Sequence, residues 1–312
     1  MIVDSSESHL VSSLGWIDKS KLWTYEVASG RESYITVGDA DYLSLLPGRQ
    51  DLFACVQQTT CRWPEISAHS ISSPRGALAR IIVEDDAGVF VGDTTVWQEL
   101  PSAYLVQGPW DGRVSQRLLL VHAESREVEI QRMAWFDESY DHVYQSIIGV
   151  VQVPGSELVV FSVQRDSHPV LYAPQARTAL RRISLAGRAG NPVLLFRQTA
   201  PELWATDYDT VVRLETSNWL LLDSQHVQPA VAGTAHFIGG LAFDRSERIC
   251  AVARPASGDV IALDTDTFHV THRAELGRQP IEVVALRDGR VFSRDWKTGR
   301  LLTGMLMPFI GS

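Results

Sequence analysis

GDVIALDTDTFHVTHRAELGRQPIEVVALRDGRVFSRDWKTGRLL occupies residues 258–302. Its apolar runs are cut by Asp264-Thr265-Asp266-Thr267, Gly277-Arg278-Gln279-Pro280, Arg287-Asp288-Gly289 and Lys297-Thr298-Gly299. No run reaches the length of an ordinary helix. The cutting residues are turn formers: Asp and Thr side chains bond nearby amides, and Gly supplies positive φ. Residues 259–263 read as a short buried strand. Phe268, Val270, His272 and Ala274 then alternate with His269, Thr271, Arg273 and Glu275, the period-two pattern of a strand with one face inward. Residues 281–286 are nearly all apolar, which predicts a strand covered on both faces. Asp288-Gly289 is a hairpin turn, and a further strand returns from it.

The unit recurs. Similar stretches start at Ser146, Pro192, Phe237 and Ile281, spacings of 46, 45 and 44 residues. Others open at Tyr42 and Tyr104, and the N-terminal stretch from His9 supplies further strands. Four strands in a period of ~40–50 residues mark a β-propeller. The expected fold is all-β: one β-propeller domain over residues 1–312, of four-stranded antiparallel blades. Seven blades follow from length over period, with six as the alternative, and both termini are expected to close the ring. A pair of β-sandwiches competes, but the regular spacing disfavours it. Ser73–Pro101 is irregular, and the step from Tyr42 to Tyr104 is too long for one compact blade.

Residues 257–292 resemble the repeat of YVTN-type seven-bladed propellers. The matching positions are Asp264, Gly277, Pro280, Asp288 and Gly289; the Tyr-Val-Thr-Asn tetrad itself is missing. The resemblance covers about one unit well and implies a fold. Such propellers include binding scaffolds, lactonases and lyases, so it implies no one activity.

The chain has 312 residues, 45% of them hydrophobic, and a formal net charge of -9. A negative chain without a basic patch argues against nucleic acid. No polybasic or spanning segment points to a membrane. The N-terminus lacks the basic and apolar regions of a secretory signal, and cysteines are sparse: Cys55, Cys61 and Cys250. Buried thiols in a cytoplasmic protein are expected.

No standard catalytic string occurs in the sequence. In a propeller, the loops leading into the innermost strands ring one mouth of the channel. Those loops carry Asp39 and Asp41; Ser102 and Tyr104; Asp141, His142 and Tyr144; Arg188 and Asn191; His236; and Arg278 and Gln279. His142, His236 and Asp141 form the candidate catalytic set, able to remove a proton or to hold a divalent metal ion. Arg278 or Arg188 would hold an anionic group, with Asn191, Asp41, Tyr144 and Tyr104 lining the site. Trp110, in the turn Gly108–Gly112, offers an aromatic contact. Asp264–Thr267 faintly resembles calcium spacing but reads as a turn. Two functions remain open. One is a propeller that binds a small molecule or a protein at the channel mouth. The other is a lyase or lactone hydrolase on the same scaffold.

Overall fold

The computed structural model describes residues 1–13, 21–36, 40–46, 49–57, 65–84, 87–92, 103–107, 117–122, 127–132, 147–163, 166, 168–185, 192–227 and 237–308. Every regular element among them is a β-strand, and none is a helix able to cross a membrane. The described strands form seven antiparallel sheets, numbered here in chain order. The chain divides into two compact units, Met1–Ile147 and Ile148–Ser312.

In the first unit, sheet 1 comprises Ile2–Val3, His9–Ser13, Lys21–Glu26 and Arg31–Thr36. Sheet 2 comprises Ala40–Leu46, Arg49–Gln57, Glu65–Ser70, Ala79–Glu84 and Ala87–Gly92. Its fifth strand accounts for the long step between Tyr42 and Tyr104. Sheet 3 comprises Ala103–Gln107, Arg117–His122 and Glu127–Arg132. Val11 and Leu22 of sheet 1 pack on Phe53, Cys55 and Ile71 of the second sheet and its loop.

In the second unit, sheet 4 comprises Ile147–Gln152, Val159–Val163, Val170–Ala173 and Thr178–Arg182, and sheet 5 Leu194–Arg197, Glu202–Asp207, Thr210–Glu215 and Leu220–His226. Sheet 6 comprises Gly240–Phe243, Ile249–Arg254, Asp259–Asp264 and Val270–Glu275, and sheet 7 Pro280–Ala285, Arg290–Asp295 and Leu301–Met305. Inner strands thus begin at Ile147, Leu194, Gly240 and Pro280, close to the starts that the repeat predicts.

Each central sheet here is buried on both faces, which is why its strands read as nearly unbroken apolar runs. Leu203 and Leu214 of sheet 5 meet Leu171 and Ile183 of the sheet 4 region. On the other face, Trp204 and Val211 meet Val252 and Ile261 of sheet 6. Trp204 stands edge-on to Phe243 and Phe268, at 5.4 and 4.9 Å between ring centres. It fills an inter-sheet gap. Sheets 6 and 7 meet through Ala251, Ala253, Val283 and Ala285. Small residues let these strands approach closely: a Cβ on Gly239 would lie 2.6 Å from the Pro280 carbonyl oxygen. Fully burying each Leu or Val contributes roughly 1.5–3 kcal/mol.

Two features differ from the sequence expectation. The first is a bulge repeated on three outer strands. Opposite a pair of consecutive partner residues, one extra residue is inserted: Leu180 in sheet 4, Leu222 in sheet 5 and Thr271 in sheet 6. The second is the chain end. Closure by both termini was expected, but no described sheet contains strands from both ends. Ile2–Val3 pairs with His9–Ser13, and Met307–Pro308 adds a fifth strand to sheet 6 at Arg273 and His272. Leu306, buried among the residues joining sheets 6 and 7, turns the chain that way. It leaves sheet 7 with three strands.

Candidate functional site

Asp41 lies on the first strand of sheet 2 and Tyr104 on the first strand of sheet 3. Arg278 is exposed in the connection that precedes the first strand of sheet 7. The backbone around it is fixed. Gly258, at φ 70°, accepts the N–H groups of Leu276 and Gly277 on its carbonyl, and a Cβ there would lie 3.1 Å from the Arg278 oxygen. Beside this loop, Asp295 is held below the usual carboxylate range. Burial opposes ionisation, but the Thr298 hydroxyl, the Gln279 N–H and the Arg278 charge outweigh it.

Asp141, His142, Tyr144, Arg188, Asn191, His236 and Trp110 lie outside the described residues, as do Asp39 and Ser102. The described structure therefore positions the Arg278 loop and the strands carrying Asp41 and Tyr104. The candidate catalytic set lies outside it.

Asp264–Thr267 is a turn. The Asp264 carboxylate accepts the Thr267 N–H at 2.7 Å, the Thr267 hydroxyl at 2.9 Å and the Asp266 N–H at 3.1 Å. These bonds, the Thr267 N–H first, hold its pKa below the usual range. His272 is a half-buried strand residue whose Nδ1 lies 3.0 Å from the Thr271 hydroxyl. Cys55 and Cys250 are buried and form no disulfide, as expected, and burial raises the Cys250 pKa. Cys61 lies outside the described residues.

The polar residues between sheets 5 and 6 form a seam in which the Nε atoms of Arg197 and Arg213 are buried without a hydrogen-bond partner among the described residues. Arg197 and Arg213 both donate to the Thr265 carbonyl, at 3.3 and 2.9 Å. Arg197 also bonds Asp266, and Glu202 stands 3.6 and 3.7 Å from the two guanidinium groups. A shallow cavity of about 300 Å³ lies beside this seam, lined by Pro154, Arg197, Thr199, Glu202 and Thr216. Its charges are already matched by neighbours, so it offers a ligand little unspent charge.

The sequence reading passed over a turn used twice. Asp4-Ser5-Ser6-Glu7-Ser8-His9 and Asp244-Arg245-Ser246-Glu247-Arg248-Ile249 share Asp, Ser and Glu at the same spacing. In each, the Asp carboxylate accepts the Ser hydroxyl and the backbone N–H five residues on. In each, the Glu takes positive φ, 56° at Glu7 and 52° at Glu247. Aligning the two hexapeptides would have revealed the turn.

With sheets, seams and turns in place, the fold is that of a β-propeller. The chain is similar to the β-propeller domain of Cps50 (Swd1) from Myceliophteria thermophila, with a TM-score of 0.61 and 9% identity over 98% of this chain and 95% of that one. No protein-family model and no curated protein matches the chain. The likeness establishes the fold; the YVTN resemblance is not supported beyond that level.

Proposed function

We propose that this chain is a binding propeller whose partner is another protein, docked as an added strand on the outer edge of sheet 5. One observation carries the reading. Among the described residues, Leu220–His226 is an edge strand without a further neighbour, and its consecutive Leu220, Leu221 and Leu222 are 57%, 43% and 47% exposed. Soluble proteins blunt such edges with charge or cover them. Leu180, the bulge residue of the neighbouring outer strand, is 52% exposed and extends the patch. The Arg181 guanidinium donates to the Asn218 carbonyl at 2.7 Å, tying the two rims together.

The chain supplies its own precedent for the occupant. The outer edge of sheet 6 takes Met307–Pro308 at the two residues after its bulge. The corresponding residues of sheet 5 are Asp223 and Ser224. The occupant is accordingly an extended apolar segment, with a basic residue opposite Asp223, which is half exposed and meets Arg213 only at 3.5 Å. A second copy fits less well, because self-pairing centred on Asp223 sets like charges opposite each other.

An array of extended apolar–basic peptides, read by amide hydrogen exchange on the full chain, tests the proposal. A bound peptide should slow exchange within Leu220–His226, and Leu222→Lys should weaken binding about tenfold or more. Binding that leaves those amides unprotected, no binding by any peptide, or a dimer abolished by Leu222→Lys overturns it.

Of the residues of the enzyme alternative, Asp41, Tyr104 and Arg278 lie in the described structure, and Arg278 is exposed. An exposed cation on an anchored loop suits an anionic substrate group. Turnover of a lactone or cyclic-peptide substrate that disappears in His236→Ala would favour it over docking.

A further inference from the structure

The geometry points to a second, independent site: the cavity between sheets 1 and 2 of the first unit binds a small monocarboxylate with an apolar body. The cavity measures about 310 Å³, at the lower end of the ~300–1,000 Å³ typical of small-molecule sites. Leu10, Ile35 and Ile71 line it, and all three are buried core residues. Tyr25 adds an aromatic wall, its ring held by stacking on Trp23 at 5.7 Å. His9, Arg31 and Arg75 supply the positive groups.

The repeated Asp–Ser–Glu turn places the histidine. Asp4 accepts the Ser8 and His9 N–H groups at 2.7 and 3.1 Å and the Ser6 hydroxyl at 2.9 Å, and His9 Nδ1 lies 3.2 Å from its other oxygen. Burial works against its ionisation, but those donors outweigh it and keep Asp4 a carboxylate. A fixed carboxylate holds the proton of His9 on Nδ1 and leaves Nε2 for a ligand. The equivalent turn at Asp244 has Ile249 in the place of His9.

Charge counting selects the ligand class. The ionisable groups around His9 are Asp4 and Glu7 from its own turn, Tyr25, Glu26 and Arg31 from the next strands, and Arg75 from sheet 2's loop. Glu26 is tied to Arg31 at 3.1 Å and Asp4 to His9. Among the described residues Arg75 is exposed and has no ion-pair partner. Of the charged groups that line the cavity, Arg31 and Arg75 face the one carboxylate of Glu26, which leaves one net positive charge. The site therefore takes a monoanion, and a carboxylate set against Nε2 of His9 needs a proton between the two, so binding takes one up.

Titrating the full chain with 3-phenylpropionate tests this, with histidine NMR and calorimetry in buffers of different ionisation enthalpy. Saturable binding, proton uptake and a shift of the His9 ring resonances are expected. Arg75→Gln should weaken binding about tenfold or more, and His9→Gln should abolish the proton uptake. The uncharged 3-phenylpropionamide should not bind. Equal binding of the amide, uptake that survives in His9→Gln, or no saturable binding overturns the proposal. None of these results bears on the Leu220–His226 edge.

Discussion

Glu247 of sheet 6 and Thr199 of sheet 5 are joined twice: the Glu247 carboxylate accepts the Thr199 N–H at 2.8 Å and its hydroxyl at 2.7 Å. A third bond comes from the Gln198 N–H at 2.8 Å. The side chain thus caps the neighbouring turn while its own backbone sits at φ 52°, where a Cβ costs roughly 1–2 kcal/mol. The staple outweighs the strain. Glu247→Ala should lose about 2–3 kcal/mol, having strain without bonds. Glu247→Gly should lose about 1 kcal/mol less than the alanine variant. Urea unfolding of the three proteins checks the ordering; an alanine variant as stable as glycine would contradict it.

Asp259 is wholly buried and faces two arginines. Arg254 binds it through two nitrogens, at 2.7 and 2.6 Å, and Arg273 Nε completes the set. Arg254 also donates to the Val227 carbonyl at 2.6 Å. Removing the carboxylate leaves a mostly buried guanidinium without its counter-ion. Asp259→Ala should therefore cost about 3–5 kcal/mol, read from chemical denaturation.

His69 makes stability depend on pH. Its Nε2 lies 2.8 Å from the Ser67 hydroxyl, and its Nδ1 3.1 Å from the Pro74 carbonyl. Its ring stacks on Phe53 at 5.3 Å. Burial lowers its pKa below the ordinary 6.5; the Pro74 carbonyl opposes this, and the Arg80 charge adds to it. The unfolded chain then binds the proton more readily than the folded one. Stability from this group is full above about pH 6.5 and falls as the pH drops toward the folded pKa. Denaturation midpoints measured from about pH 7.5 to about pH 5 should decline, and His69→Gln should flatten that part of the slope.

Cys55 and Cys250 should resist alkylation in the native chain. Both are buried, and burial raises the Cys250 pKa, so little thiolate forms there. Mass spectrometry after iodoacetamide treatment should find both sites unmodified under native conditions and modified in urea. Rapid native labelling of Cys250 would contradict its placement.

The alternation and turn chemistry around Gly258–Leu302 made the repeat legible, because turns are local and need no partner to be recognised. The bulges at Leu180, Leu222 and Thr271 were not legible. One inserted residue changes strand register, yet looks like a minor break in alternation. The same holds at Glu282, whose φ of 52° and register shift interrupt an otherwise apolar run. The fifth strand Ala87–Gly92 and the pairing of Met307–Pro308 depend on which edge lies within reach, and a sequence does not state that. His9 was hidden for a similar reason. Its role depends on Asp4 five residues earlier and on Arg75 from a different sheet.

The short C-terminal strand fastens sheet 7 at both ends. The chain leaves His272 and Arg273, builds three strands, and returns to those same two residues through Pro308 and Met307. Mechanically, sheet 7 is a loop with a clasp. A pull applied at the C-terminus loads the clasp before it reaches the hairpins, so a truncation after Met305 should leave sheet 7 exposed to peeling from its outer strand.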